Sequence, residues 1–293
     1  MELMEQSRPI NVLSLFDGMS CGQIAINKLG IKYDNYFASE IDKWAMQITK
    51  KNYPNTIHIG DVREVKGTDL PEIDLLIGGS PCQSFSNAGN GKGFEGKSGI
   101  FWEYVRLLKE VKPKYFMLEN VRMKKEWQDV ITEALGVEPI MINSSLVSAQ
   151  NRPRFYWTNI PGIGQPEDKG YVTRDILEKD EDVDTAYQLT TTALAYMDRE
   201  RNGKSRWNYH KNPLDGKAAC VVAGYAKMAG FAVLDYRNLG KPCRRLTPRE
   251  CERLQTVPDD YTEGVSKTQR YLMIGNGWTV DVISHILSYM KLD

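Results

Sequence analysis

The stretch "IDLLIGGSPCQSFS", residues 73–86, joins a short apolar run to a turn of small residues that carries a single cysteine. The apolar run has the length and composition of a strand buried on both faces. A structural cysteine packs among apolar neighbours, whereas a nucleophilic one lies in a polar, partly exposed turn. Residues 78–81 cannot form a useful core segment, so the sequence favours a reactive thiol at Cys82, with a half-buried turn cysteine as the alternative.

Apolar runs of the same kind recur through the first half of the chain and alternate with segments of helical periodicity. Strands are predicted at 11–16, 35–40, 73–79, 115–120 and 154–160, and helices after Gly18, at 42–51 and at 100–111. Strands that alternate with helices predict an α/β fold, in which a parallel sheet is covered on both faces.

Polar or reactive residues stand at or just after the ends of several predicted strands: Asp17, Glu40, Cys82 and Glu119. In parallel sheets, ligands bind beyond the carboxyl ends of the strands. We therefore expect these side chains to meet at one edge of the sheet.

The turn "LFDGMSCG" (15–22) joins a strand to a helix, and its glycines let a ligand approach backbone N–H groups. It is not a GxGxxG pattern, and many strand-to-helix turns contain Asp-Gly. Glu40 lies 22 residues after Gly18, a spacing that suits an acid bound to ribose hydroxyls, and Asp61 occurs further on in "GDV". Together these acids favour a ligand that contains adenosine.

Glu119 ends an apolar strand, where an unpaired carboxylate is costly. It either pairs with an arginine or contacts a heterocycle near the reactive thiol. In "QNRPRFYW" (150–157), alternation sends Gln150, Arg152 and Arg154 to one face. This pattern suggests recognition of an anion or a carbonyl, and an exposed edge strand is the alternative.

Composition sets the bounds on the function. The chain has 293 residues, 41% hydrophobic and 26% charged, and no apolar run approaches the roughly 18 residues that span a bilayer. The first residues, "MELMEQSRPI", lack a secretory signal pattern. Five scattered cysteines without a CxxC pair argue against a disulfide framework or a zinc site. We therefore expect a cytoplasmic protein without a metal.

The alternation of strands and helices stops after Ile160, and residues 161–243 read as a smaller, irregular or β-rich lobe. Between Arg199 and Arg253 the chain carries 13 Lys and Arg against 5 Asp and Glu. Such a block is either a nucleic-acid footprint or a solvated face. Helical signals return with the capping box "TPRE" (247–250).

These motifs, in this order, resemble those of the DNA cytosine-5 methyltransferases. "LFDGMSCG" is similar to their cofactor motif, "GGSPCQSFS" to their catalytic loop, and "ENV" (119–121) to their base-binding acid. The QxRxR element at 150–154 and two C-terminal motifs, "RRLTPRECERLQTVPDDY" and "GNGWTVDVI", match as well. Several segments resemble the catalytic domain of the de novo DNA methyltransferases, and the short length resembles bacterial or phage enzymes.

The resemblance implies a Rossmann-like methyltransferase domain with a mostly parallel sheet at 1–160 and 244–293, and a target-recognition lobe at 161–243. It implies Cys82 as nucleophile, Glu119 on the cytosine ring, Arg154 on the base carbonyl and Arg152 in support of the loop. The implied cofactor is S-adenosyl-L-methionine, held by Phe16, Asp17, Gly18, Glu40, Ile41, Asp61, Ile100, Asn276 and Trp278.

The implied substrate is a cytosine flipped out of double-stranded DNA. The resemblance also allows a cognate restriction endonuclease that acts on the same site without being a stable subunit. It implies that the protein works in the cytoplasm of a bacterial cell or of a host cell infected by a phage. Two alternatives stay open. A tRNA methyltransferase of the same fold typically carries a Cys-Phe-Thr element, which this chain lacks. A non-catalytic DNA-binding adaptor would lack the cysteine, which this chain keeps.

Overall fold

The computed structural model of the chain describes residues 8–81, 97–201, 203–207, 211–227 and 232–292. The chain divides into two compact units, which are described separately. The first consists of residues 1–142, 153–165 and 282–293, and the second of residues 143–152 and 166–281. Cys82 lies outside the described residues.

A seven-stranded sheet, in the order β3-β2-β1-β4-β5-β7-β6, forms the centre of the first unit. Its strands are β1 (Ile10–Leu15), β2 (Tyr33–Ser39), β3 (Ile57–His58), β4 (Leu75–Gly79), β5 (Tyr115–Val121), β6 (Pro139–Asn143) and β7 (Pro153–Thr158). The neighbours from β3 through β5 pair in parallel, and β7 runs antiparallel to β5. The predicted α/β fold with a mostly parallel sheet is therefore confirmed.

Helices pack around this sheet because each presents apolar side chains to it. They are α1 (Cys21–Lys28), α2 (Lys43–Asn52), α3 (Phe101–Val111) and α4 (Lys125–Leu135). Leu13, Leu76, Leu118 and Leu107 belong to one cluster of buried side chains that joins the strands to α3. The helix α4 and the strand β6 were not predicted from the sequence, whereas β3 is the strand that was expected to end just before Asp61.

The second unit is built from short strands and turns. Its strands are β8 (Glu200–Arg201), β9 (Lys204–Ser205), β10 (Lys211–Asn212), β11 (Val233–Leu234) and β12 (Arg244–Arg245), and its helices are α5 (Thr191–Met197), α6 (Pro248–Leu254) and α7 (Lys267–Asn276). A last helix, α8 (Val280–Leu287), contains residues of both units. The predicted capping box is present at the start of α6, where Thr247 and Glu250 bond each other's backbone N–H. Residues 244–281 group with the second unit, although the sequence prediction assigned them to the catalytic domain.

The basic block of the second unit is partly neutralised within the unit. The cations at 237, 241, 244, 249 and 253 form ion pairs, in that order, with Asp235, Asp180, Glu250, Glu178 and Asp259. Three of these acids lie outside the block that the sequence count covered. The count therefore overstates the positive charge that the unit can offer to a nucleic acid.

Candidate active site

The turn after β1 is fastened to the end of β2. The backbone N–H of Gly18 donates to Oε2 of Glu40 at 2.7 Å, and the N–H of Asp17 donates to the carbonyl of Ser39 at 3.1 Å. Gly18 has a φ of +58°, which favours glycine, and the space where a Cβ would stand is open. The structure thus brings together two residues predicted to bind the cofactor, and it leaves room for a ligand at the turn.

The Glu40 carboxylate already accepts three backbone hydrogen bonds. Besides Gly18, the N–H groups of Ile41 and Asp42 donate to its Oε1, at 2.7 and 2.8 Å. A carboxylate has about four acceptor sites, so about one remains for a ligand hydroxyl. The neighbouring Ile41 is 70% exposed, so its apolar side chain is open to contact with a ligand. These features fit a nucleoside-bearing cofactor.

Asp17 turns its side chain towards the sheet. Its Oδ1 accepts hydrogen bonds from Ser14 Oγ at 2.6 Å and from the Tyr36 hydroxyl at 2.8 Å. Burial raises the pKa of Asp17 to about 6, against the lowering effect of these hydrogen bonds. The side chain therefore ties the turn to β1 and β2, while Phe16, with a φ of +57°, and Gly18, with a φ of +58°, give the turn its left-handed backbone.

Asp61 lies three residues after β3, and its carboxylate is held by Arg63. The Arg63 Nε lies 3.0 Å from Asp61 Oδ1, and the Arg63 backbone N–H donates to the same oxygen at 3.0 Å. These hydrogen bonds lower the pKa of Asp61 to about 2. Ile100 stands at the start of α3 and packs against the main apolar cluster. Any ligand group that binds the Asp61 carboxylate would share it with Arg63.

Glu119 and Arg154 form an ion pair between β5 and β7. The Arg154 Nε lies 2.9 Å from Glu119 Oε1. The arginine side chain is 13% exposed and the glutamate side chain 11%. The antiparallel register sets Val121 opposite Arg154, so Glu119, two residues earlier, lies on the same face. The parallel register sets Gly79, at the end of β4, beside Glu119. The pair thus lies next to the strand that leads to Cys82.

The predicted QxRxR element divides between two environments. Arg152 is 3% exposed and donates to the carbonyls of Val221, Gly275 and Gly277 at 2.8, 3.1 and 2.8 Å. Gln150 is fully buried and accepts from the Val221 N–H at 3.3 Å. These two side chains therefore hold the backbone of the second unit, whereas Arg154 faces Glu119. Arg152 thus supports the last turn of α7 and Gly277, the residue that follows it.

Two further residues predicted to bind the cofactor lie in the second unit with Arg152. Asn276 ends α7 and is exposed, and Trp278 is 8% exposed. Gly277, between them, is held through its carbonyl by Arg152 and by Gln255 Nε2, at 2.8 and 3.0 Å. Sequence reasoning missed the role of Gln255, because a glutamine at the end of a helix gives no signal of its partners.

The described parts of the chain were searched for a metal site and for a membrane-spanning helix. No cluster of three or more His, Cys, Asp or Glu side chains is arranged to hold a metal ion. Within the same described residues, no helix has the length and apolar character needed to cross a bilayer.

Comparison with known proteins identifies the family. The family model for C-5 cytosine-specific DNA methylase matches residues 10–292. The type II methyltransferase M1.ScrFI of Lactococcus lactis subsp. cremoris is 31% identical, over 95% of this chain and 77% of the relative. The type II methyltransferase M.NgoBI of Neisseria gonorrhoeae is 31% identical, over 92% of this chain and 90% of the relative. The crystal structure of the S. pombe Dnmt2 methyltransferase, 22% identical, matches with a TM-score of 0.75 over 95% of this chain and 97% of its own. The chain therefore belongs to the C-5 cytosine-specific DNA methylase family and is a DNA (cytosine-5-)-methyltransferase.

Proposed function

We propose that the chain transfers a methyl group from S-adenosyl-L-methionine to carbon 5 of a cytosine flipped out of double-stranded DNA, through a covalent adduct of Cys82. The observation that carries the proposal is the ion pair of Glu119 and Arg154, 2.9 Å long and about nine-tenths buried. A carboxylate and a guanidinium on one face offer complementary contacts to the two polar edges of a cytosine ring.

Cytosine needs this assistance because its carbon 5 is a weak nucleophile. Addition of the Cys82 thiolate to carbon 6 forms a C–S bond and moves the electron pair of the 5,6 double bond onto carbon 5. Glu119 would contact ring nitrogen 3 and the exocyclic amine, and Arg154 would donate to the carbonyl oxygen at carbon 2. The Arg154 guanidinium would stabilise the negative charge that the ring gains during the addition, and Glu119 would orient the ring through its exocyclic amine.

Carbon 5 then takes the methyl group, which S-adenosyl-L-methionine supplies when it is bound. A base removes the proton from carbon 5, the double bond re-forms, and the C–S bond to Cys82 breaks. Glu40 would accept a ribose hydroxyl and Asp61 the adenine amine, with Phe16, Gly18, Ile41 and Ile100 in contact. Asp17 would support the turn. Asn276 and Trp278 are the further cofactor contacts that the family resemblance implies.

The DNA has to present its target base outside the helix, since carbon 6 is shielded within the stacked duplex. We assign the choice of target sequence to the lobe at 161–243. Phosphate contacts would come from cations that are not committed to ion pairs within the second unit. A restriction endonuclease that cuts the same site would be a partner in function only.

Bisulfite sequencing of DNA from cells that express the chain tests the proposal. We expect protected cytosines at one recurring sequence with the wild-type chain and none with Cys82→Ala. Methylation that persists in Cys82→Ala would exclude the covalent mechanism. Protection found in transfer RNA but not in DNA would replace the proposed substrate.

A further inference from the structure

The side chain of Asn120, the residue after Glu119, reaches from β5 to the first residue beyond β4. Its Nδ2 donates to Ser80 Oγ at 3.0 Å and to the Ser80 carbonyl at 3.4 Å. Asn120 is 1% and Ser80 4% exposed, so both hydrogen bonds are shielded from water. The Asn120 Oδ1 accepts from the N–H of Val121 at 2.8 Å, which fixes the orientation of the amide.

Beyond the last backbone pairing of β4 with β5, the Asn120 side chain joins the two segments. The backbone register of β4 with β5 is last recorded at Gly79 and Glu119. The Asn120 amide then holds Ser80, one residue further along. Gly78 limits movement from the other side, because a Cβ there would lie 2.9 Å from Tyr104 Cε2 and 3.1 Å from the Leu15 carbonyl oxygen. The end of β4 is therefore fixed by the Tyr104 ring, which packs against Gly78, and by the buried Asn120 amide, which bonds Ser80.

Ser80 matters because Cys82 is only two residues further along the chain. Pro81, between them, has a restricted φ, and two residues of any chain span at most about 7 Å. We propose that Asn120 is a positioning residue for methyl transfer. Its amide fixes the point at which the chain enters the segment that carries Cys82, relative to Glu119 on the same strand as Asn120. This inference rests on the proposed function of Cys82.

The test compares Asn120→Ala with Ser80→Ala, the double variant and a control. Asn159→Ala is the matched control: its amide bonds the other end of β5, with Nδ2 2.9 Å from the Lys114 carbonyl oxygen and Oδ1 2.8 Å from the Phe116 nitrogen. Each variant is assayed in single turnovers on duplex DNA that carries the cytosine found by bisulfite sequencing. Folded fractions are matched by circular dichroism.

Asn120→Ala should lower the rate constant at saturating DNA and cofactor by about 10- to 100-fold, since a misplacement of about 1 Å costs that much. The KM for DNA and for S-adenosyl-L-methionine should stay within about twofold, because neither binds through the amide. Ser80→Ala should lose less, since the carbonyl hydrogen bond remains. The double variant should lose no more than Asn120→Ala alone, because both remove the same contact.

Two results would overturn the inference: a rate constant for Asn120→Ala equal to that of Asn159→Ala, or single-variant losses that multiply in the double variant. A wild-type chain that transfers no methyl group would instead reject the proposed function. The rate at which iodoacetamide alkylates Cys82, measured by peptide mapping, then decides the inference alone. Positioning by Asn120 requires that this rate change more in Asn120→Ala than in Asn159→Ala, and equal rates would refute it.

Discussion

Glu119 and Arg154 meet across the antiparallel pairing of β5 and β7, with Oε1 and Nε 2.9 Å apart. The sheet order places β5 between β4 and β7, so both neighbours of the carboxylate contribute to the chemistry we propose. β7 supplies the guanidinium, and β4 leads to the nucleophile. Glu119 on β5 thus lies between the strand that carries Arg154 and the strand that leads to Cys82.

Glu119→Gln should lower the rate of methyl transfer by about 10² to 10⁴, the usual contribution of a positioned acid or base. Glutamine keeps the shape of the side chain but cannot carry the proton or the charge. Single-turnover transfer of labelled methyl groups measures the effect. Glu110→Gln is the control, because Glu110 also pairs with an arginine, Arg106, at 2.9 Å but on α3, away from β5 and β7 in the chain. Equal rates for both variants would remove Glu119 from the mechanism.

Glu40→Ala should weaken cofactor binding by about 1.5 to 3 kcal/mol, the usual value of hydrogen bonds to a charged group. The same change releases the Gly18 N–H, so the turn after β1 should loosen as well. Calorimetric titration with S-adenosyl-L-methionine measures the affinity. Glu110→Ala is matched in geometry, since Glu110 Oε2 accepts from the Gly67 N–H at 2.7 Å, as Glu40 does from Gly18. Wild-type affinity in Glu40→Ala would refute the site.

Asp17 should make the stability of the chain depend on pH. Its pKa is about 6 in the folded chain and near 3.8 in the unfolded one, so the folded state holds the proton more tightly. The free energy of unfolding that this group contributes is therefore fully present below about pH 4 and is lost as pH rises through 6. Asp17→Asn has no such loss, and its stability relative to the wild type should rise between pH 4.5 and 7.5, by up to about 3 kcal/mol.

Urea unfolding at both pH values measures this difference. Asp61→Asn serves as the control with the opposite sign, because the pKa of Asp61 is lowered to about 2. The stability that Asp61 contributes is present above its unfolded value of 3.8 and is lost only below it. The difference between Asp61→Asn and the wild type should therefore stay constant from about pH 4.5 to 7.5. The assignment for Asp17 fails if Asp17→Asn behaves in the same way.

The sequence was sufficient to predict the parallel part of the sheet, because β1, β4 and β5 are mostly apolar runs that lead to polar residues. The strand β2 is less apolar, but its buried second half leads to Glu40 in the same way. It could not show that β7 is antiparallel, since strand direction depends on pairing across the sheet. The sequence also could not show that Asp17 bonds Ser14 and Tyr36, or that Asp61 bonds Arg63. Hydrogen-bond partners of a side chain depend on tertiary geometry that the residue type does not encode.

The basic block illustrates a second limit. Counting charges in a window of sequence treats each cation as available, although Arg249 and Lys241 pair with acids some 60 to 70 positions earlier in the chain. Ion pairs between distant segments can be found only when the fold is known. The prediction of a nucleic-acid surface therefore rests on fewer cations than the sequence suggests.

Exchange of residues 161–243 for the corresponding lobe of a relative with a known target should move methylation to the relative's sequence. The main domain would still perform the chemistry, so the rate at the new site should stay measurable. Bisulfite sequencing gives the target of the exchanged chain. An active chimaera that keeps the original target would refute the assignment. Affinity for DNA should also fall as salt rises, because phosphate contacts release counterions.

Cys82 should bond covalently to the target base in each turnover, and a trapped complex can show it. DNA with 5-fluorocytosine at the target cannot lose fluorine as a cation, so elimination stalls after methyl transfer. A complex that survives denaturing electrophoresis should form, and only when S-adenosyl-L-methionine is present.

Cys82→Ala should form no such complex while it still binds the cofactor through the turn at Gly18 and through Glu40. The other cysteines provide internal controls, because Cys21, Cys243 and Cys251 are buried and Cys220 lies 3.2 Å from the Arg152 guanidinium in the second unit. Burial also raises the pKa of the Cys251 thiol well above its ordinary value, which keeps it protonated and unreactive. Peptide mapping of the trapped complex identifies the bonded residue. An adduct on any of these four cysteines would show that the thiol at the end of "GGSPC" is not the nucleophile.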